Sequence, residues 1–334
     1  MILPILPNLP NFQRFYAQLA SILVVMVILS LIIFPRHSHA EPAPLRVIAS
    51  FSILGDLIKQ IGGDRVNVTV LVAAGGDPHL YQAKPSDAVA MAKADLVVVN
   101  GLGFDRQMTQ MAKASRAGLP LLIASERVTP LRFNDEFGGD MGQNATGEKS
   151  KNKGAEIDPH AWQSPKNTLL YVESIADSLS RLDPAHASYY QQNLAEYRRQ
   201  LRQLDAELHQ KFDAVPPRDK IIITSHDAFG YFGHEYGIRF AAPLGFATEN
   251  EASASAVAAL IGQIRRAKIK VIFVESISDP RIMQQIARET GAKIGGALYS
   301  DSLSPPHQPA HSYLDMMRYN SQLFAEAFTR TQAR

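Results

Sequence analysis

The chain has 334 residues, 46% of them hydrophobic and 20% charged, with 21 Gly, 20 Pro and no Cys. This is the composition of a globular protein and excludes a disordered, collagen-like or disulfide-stapled chain; the missing Cys also removes thiol catalysis, iron–sulfur clusters and Cys-based zinc sites. The 34 basic and 32 acidic residues leave a formal charge of +2, too small an excess to point to nucleic acid.

Residues 1–18 carry one charge, Arg14, and are followed by the uncharged apolar run Leu19–Phe34. Pro35, Arg36 and the small-x-small sequence Ser38-His39-Ala40 then precede Glu41. A basic start, an apolar stretch and an Ala-x-Ala-like end predict a cleavable secretory signal over 1–40. The alternative is a retained anchor, although the 16-residue run falls just short of the roughly 17–25 residues a spanning helix needs. No Cys follows the run, so a lipid-anchored form is not expected. Removing 1–40 takes away Arg14 and Arg36, leaving 32 basic and 32 acidic residues and eight His: His79, His160, His186, His209, His226, His234, His307 and His311.

From Leu45 onward β-branched runs alternate with amphipathic segments, the pattern of βαβ units. Strands are predicted at Leu45–Ser50, Val66–Ala73, Asp95–Asn100 and Leu121–Ala124, with a helix at Ile53–Ile61. Runs this apolar are expected to be buried on both faces of a parallel sheet. A long polar segment, Phe133–Glu156, has no periodicity and contains no His, so it reads as a lid or a disordered loop and not as a metal-collecting tract. Apolar residues then recur at helical spacing through Leu169, Val172, Ile175, Leu179 and Leu182. Asp183 is a suitable N-cap with Pro184 at the first helical position, and Ala185–Ala214 follows without Gly or Pro. It predicts one long, largely solvated helix connecting two halves. The second half has strands at Lys220–Thr224 and Val271–Val274 and a weaker run at Lys293–Ala297.

Four segments place metal-competent side chains just beyond a strand or a loop: Gly75–His79, Asp158–Trp162, Ser225–Phe229 and Tyr299–Leu303. Ligands of open α/β sheets bind outside the carboxyl ends of strands, so four such positions could converge on one cleft. His79 and His160 share an Asp-Pro-His context in which Pro stiffens the backbone leading to the imidazole. Trp162, the single Trp, reads as packing, Glu275 as a reserve carboxylate, and His186, His209 and His234 as solvated helix residues. His307 and His311 lie in a Pro-rich loop near Asp301 and are either accessory groups or without a role.

The sequences Gly75-Gly76-Asp77-Pro78-His79 with Lys84–Asp87, Val97–Asp105, Asp158–Trp162, Thr224–Phe232 and Leu298–Ser304 resemble the metal-binding solute-binding proteins of zinc/manganese ABC importers, in order and over nearly all of the chain beyond residue 40. The resemblance implies an α/β protein of two lobes, each with a mainly parallel sheet flanked by helices, joined by a long rigid helix. Its divisions here would be a signal at 1–40, an N-terminal metal-binding lobe at 41–182, the connecting helix at 183–215 and a C-terminal metal-binding lobe at 216–334. It further implies one metal ion held by His79 and His160 from the first lobe and His226 and Asp301 from the second. Three imidazoles and a carboxylate suit tetrahedral Zn²⁺. Manganese-specific members tend to carry a carboxylate where this chain has His226, so Mn²⁺ is the lesser expectation. The implied action is high-affinity capture in the periplasm and delivery to a membrane permease with its ATPase, by a monomer, with no catalysis and no nucleic acid. Release would need contact with the permease or motion of the loop around Asp301. The alternatives are a manganese importer component, an adhesin, or a zinc hydrolase. Against the last, His234-Glu235 lacks the second His of HExxH, and no GxSxG elbow or P-loop is present.

Overall fold

Short apolar runs that can be satisfied only by burial become parallel strands here, and the amphipathic segments between them become the covering helices. The computed structural model describes residues 16, 18–23, 26, 43–132, 156–245, 248 and 252–332. Most of the expected signal and the polar loop at 133–155 fall outside them. The chain divides into two units, Met1–Ala43 and Pro44–Arg334. In the first, residues 16, 18–23 and 26 are helical. Among the described residues no helix is long and apolar enough to cross a membrane.

The second unit begins with β1 (Leu45–Phe51), α1 (Ser52–Gly62), β2 (Val66–Val72), α2 (Pro85–Lys93), β3 (Leu96–Val99), α3 (Arg106–Ser115) and β4 (Leu121–Ile123). The strands form one sheet in the order β2-β1-β3-β4, parallel throughout, as the alternation predicts. Helix α1 puts Ile53, Leu54, Leu57, Ile58 and Ile61 on one buried face, each such side chain contributing about 1.5–3 kcal/mol. The expected two-sided burial applies to β3, where all four residues are buried, and to most of β1. It does not apply to β2, an edge strand on which exposed Asn67 and Thr69 alternate with partly buried valines. An apolar run does not reveal whether its strand is central.

Next come α4 (Pro165–Leu182) and α5 (Ala187–Phe212). Ser164 caps α4 by accepting from the Asn167 amide, with Pro165 in the first turn. The long helix starts later than its sequence suggests. Pro184–His186 forms a separate 3₁₀ turn, and Asp183 does not cap it, because its carboxylate instead accepts the Tyr190 hydroxyl and pairs with the His186 ring. Nor is α5 only a solvated rod. Tyr190, Leu194, Tyr197, Leu201, Leu204, Leu208 and Phe212 recur every three or four residues and are all buried, against α1, α4 and the C-terminal helix.

The second half contains β5 (Ile221–Ile223), α6 (Gly230–Tyr236), β6 (Arg239–Ala241), α7 (Ala254–Ala267), β7 (Val271–Glu275), α8 (Arg281–Thr290), β8 (Lys293–Leu298) and α9 (Tyr313–Gln332). Here the ladders are the parallel pairs β5–β6 and β7–β8. Strand β6, Arg-Phe-Ala, is missed by sequence reading because three residues carry no alternation; the edge of β5 organises it, with Ile221 opposite Arg239. One large apolar cluster runs from Val47 in β1 to Phe328 in α9, and a smaller one gathers Ile223, Ile264, Ile272 and Ile286. The large cluster therefore draws on both halves of the unit.

Candidate metal centre

Most groups of the site stand at or beyond the carboxyl end of a strand. His79 follows β2, Asn100 ends the run of β3, His226 follows β5, Glu275 is the last residue of β7, and Asp301 follows β8. His160 comes from the turn leading into α4.

The side chains of His79, His160, His226 and Asp301 converge so closely that one donor atom from each lies within 4.8 Å of all the others. His79 Nε2 is 3.1 Å and His226 Nε2 3.0 Å from Asp301 Oδ2, while His160 Nε2 is 3.6 Å from Oδ1. The three imidazole centroids form a nearly equilateral triangle with sides of 5.4, 5.6 and 5.7 Å. Side-chain exposure is 0% for His160, His226 and Asp301 but 7% for His79, which marks His79 as the rim. Phe104 lies edge-on to His79 and His160, and Trp162 packs on His160, so one wall of the site is aromatic.

Two of the histidines have a carboxylate behind them. Asp158 Oδ1 is 2.8 Å from His160 Nδ1 and also accepts the His160 amide. Glu275 Oε2 is 2.8 Å from His226 Nδ1, and its Oε1 accepts the amides of Ser225 and His226. Each pairing directs Nε2 inward and fixes the orientation of the ring, as outer carboxylates do in metal sites. Gly230 makes the first pairing possible, since a Cβ at this position would run into Asp158 Oδ2. Asn100 supports the same turn, donating to the Pro159 carbonyl while accepting the Tyr171 hydroxyl.

The loop of Asp301 belongs to the second half but is hung from the first. Trp162 Nε1 and Gln163 Nε2 both donate to the Ser300 carbonyl, at 2.9 and 2.7 Å. The Gly75 amide faces both Ser302 Oγ and the Leu303 carbonyl, and the Leu303 amide donates to Ser52 Oγ. Trp162 thus packs, as expected, and also ties the halves together. Motion of the Asp301 loop, one of the two expected routes of release beside contact with the permease, would have to break this bonding.

Burial opposes ionisation of Asp301, yet the surrounding imidazoles of His160, His226 and His79 outweigh it and hold its carboxyl well below the usual range. Burial likewise opposes a charged His226, but Glu275 and Asp301 outweigh it and push its pKa well up. A buried pocket containing the carboxyl groups of Asp158, Glu275 and Asp301 calls for positive charge. Asp301 Oδ1 is buried without a hydrogen-bond partner. A divalent ion on three imidazole nitrogens and this carboxylate would answer both features.

The other candidates do not join the site. His307 and His311 are exposed, and His311 pairs with Asp315. His186 and His209 are not free in solvent as expected; His186 pairs with Asp183, and His209 stands among carboxylates on α5. His234 is exposed. Glu275 proves to be a supporting group, and Asp158 and Asn100 were not singled out by sequence reading. Asp158 was recoverable from the tripeptide it starts, whereas Asn100 gives no local signal.

A family profile, zinc-uptake complex component A, periplasmic (ZnuA), matches residues 47–327. The manganese ABC transporter substrate-binding lipoprotein PsaA of Streptococcus mitis is 32% identical over 286 residues, covering 86% of this chain and 90% of PsaA. Among solved structures, the periplasmic zinc binding protein TroA from Treponema pallidum superposes with a TM-score of 0.76 at 27% identity, covering 86% of this chain and 99% of TroA. The Mn-bound periplasmic metal binding protein from Candidatus Liberibacter asiaticus gives 0.73 at 32% identity, covering 85% and 99%.

Proposed function

The chain belongs to the family of periplasmic zinc-uptake component A, the metal-binding components of ABC importers, and from that premise we propose that it captures Zn²⁺ outside the cytoplasm on His79, His160, His226 and Asp301 and hands it to its permease. As a binding component it is not an enzyme, and its partners are the permease, the ATPase and the metal cargo.

The observation that carries the zinc reading is the convergence of three imidazoles on one carboxylate within 4.8 Å. This donor set matches the tetrahedral nitrogen and oxygen coordination that zinc favours, while manganese prefers more oxygen donors. Four protein donors also leave no position for an activated water, in keeping with carriage and not hydrolysis. Manganese is the second reading, favoured by the similarity to the manganese transporter component PsaA and to the Mn-bound Liberibacter protein. In the zinc reading the parts are a signal at 1–40 that is removed on export, lobes at 41–182 and 216–334, and the connecting helix at 183–215, acting as a monomer. His79, at the rim, is the last ligand to close on the ion and the first to leave.

Metal analysis of protein prepared in equal Zn²⁺ and Mn²⁺, with competitive titration, tests the assignment. Zinc is expected in one tight equivalent that His226→Ala abolishes, and His226→Glu is expected to shift the ratio of affinities towards manganese. Tight binding of manganese with zinc excluded overturns the metal, and an unchanged tight equivalent in His226→Ala overturns the site.

A further inference from the structure

A second group of donors lies away from this centre, where α5 passes α6. Asp205 and His209 sit one helical turn apart on α5, and Glu235 faces them from α6, with one donor atom from each within 4.8 Å of the others. His209 Nε2 is 3.9 Å from Asp205 Oδ1 and 3.6 Å from Glu235 Oε1. Donors about 2.0–2.2 Å from a tetrahedral zinc lie roughly 3.3–3.5 Å apart, so small side-chain adjustments would close the set.

The surroundings are arranged as those of a ligand. Asp213 Oδ1 lies 3.5 Å from His209 Nδ1, on the far side of the ring from the other two carboxylates. That contact favours a proton on Nδ1 and leaves the Nε2 lone pair towards Asp205 and Glu235. Tyr236 donates its hydroxyl to Asp205 Oδ1 at 2.9 Å and packs edge-on against the His209 ring, fixing both groups. All three donors are partly buried, with side-chain exposures of 36, 20 and 16% for His209, Asp205 and Glu235. The Lys166 ammonium is paired with Glu235 and is itself 57% exposed, so it can swing into solvent.

We propose that Asp205, His209 and Glu235 form an accessory zinc site, weaker than the central one, in which the ion replaces the Lys166 ammonium on Glu235 and water completes the coordination. Bound there, the ion would clamp α5 to α6, the helix that follows the His226 segment.

The test is a titration of the purified metal-free protein with Zn²⁺ alone, followed by calorimetry and metal analysis. Two equivalents are expected, the first tight and the second weaker. His209→Ala should abolish the second and leave the first unmoved, which also shows that the fold is intact. Lys166→Ala should tighten the second several-fold by removing the competing cation, and Asp213→Asn should weaken it about 10-fold. A single equivalent in the wild type, or a second equivalent that survives His209→Ala, overturns the accessory site. Loss of the first equivalent in His226→Ala reports on the central site separately.

Discussion

The two Asp-Pro-His tripeptides, 77–79 and 158–160, are identical in sequence and serve different ends. In both, the Asp accepts the amide of its own His, at 2.8 and 2.9 Å. Asp158 also grips the His160 ring, whereas the second oxygen of Asp77 accepts the Thr248 hydroxyl instead. In the proposed site His160 is therefore a buried donor with a carboxylate behind it, and His79 a rim donor held through its backbone. His226, backed by Glu275, belongs with His160. The same three residues stand in two different settings because the partner of the Asp differs, and on the proposed function one would be a fixed wall and the other a closing group.

That contrast predicts a graded series of effects. The largest should come from His160→Ala, which removes a buried donor and leaves Asp301 and Asp158 under-neutralised. Zinc affinity by competitive titration should fall well beyond the roughly 100-fold upper range for losing an outer-shell partner. His79→Ala should cost less and should raise the dissociation rate most. Equal losses, with equal off-rates, would erase the distinction between wall and rim.

Acidification comes next. Only neutral imidazole binds the ion, and the elevated pKa of His226 means that its proton competes over a wider range. Zinc affinity should therefore fall as pH drops, by up to about 10-fold per unit for each proton that must be displaced. Titration between pH 8 and 5.5 should show protons released on binding. A pH-independent affinity would break the assignment of His226.

The backing carboxylates sharpen the comparison further. Asp158→Asn should lower zinc affinity about 10–100-fold by removing the charge behind His160, while Asp77→Asn, whose carboxylate does not touch its imidazole, should change it only a few-fold. The smallest structural change is Gly230→Ala, a single methyl that pushes on Asp158. It should reproduce part of the Asp158→Asn loss, within about 10-fold, and a crystal structure should show the carboxylate displaced. If Gly230→Ala leaves the affinity of the wild type, the close approach of α6 is not what holds Asp158 in place.

Much of this was legible without the fold. The strands of the first half and the helix at α1 follow from local patterns, because burial period is written in neighbouring residues, whereas the four donors were marked out as a set by the family resemblance and not by any one segment alone. The edge position of β2, the existence of β6 and the buried face of α5 were not legible, since each depends on what a distant segment offers. So too with the eight histidines beyond residue 40. Sequence could name imidazole and carboxylate as the zinc donors left to a chain without Cys, and could place three of those histidines beyond strand ends or turns. Tertiary structure decided that Trp162 and Gln163 would fasten the Asp301 loop across the molecule, that Asp158 and Glu275 would stand behind two rings, and that His209 would gather carboxylates of its own. The contacts of Trp162 and Gln163 with Ser300, of His226 with Glu275 and of His209 with Glu235 join residues tens to more than a hundred positions apart, and no local periodicity encodes them.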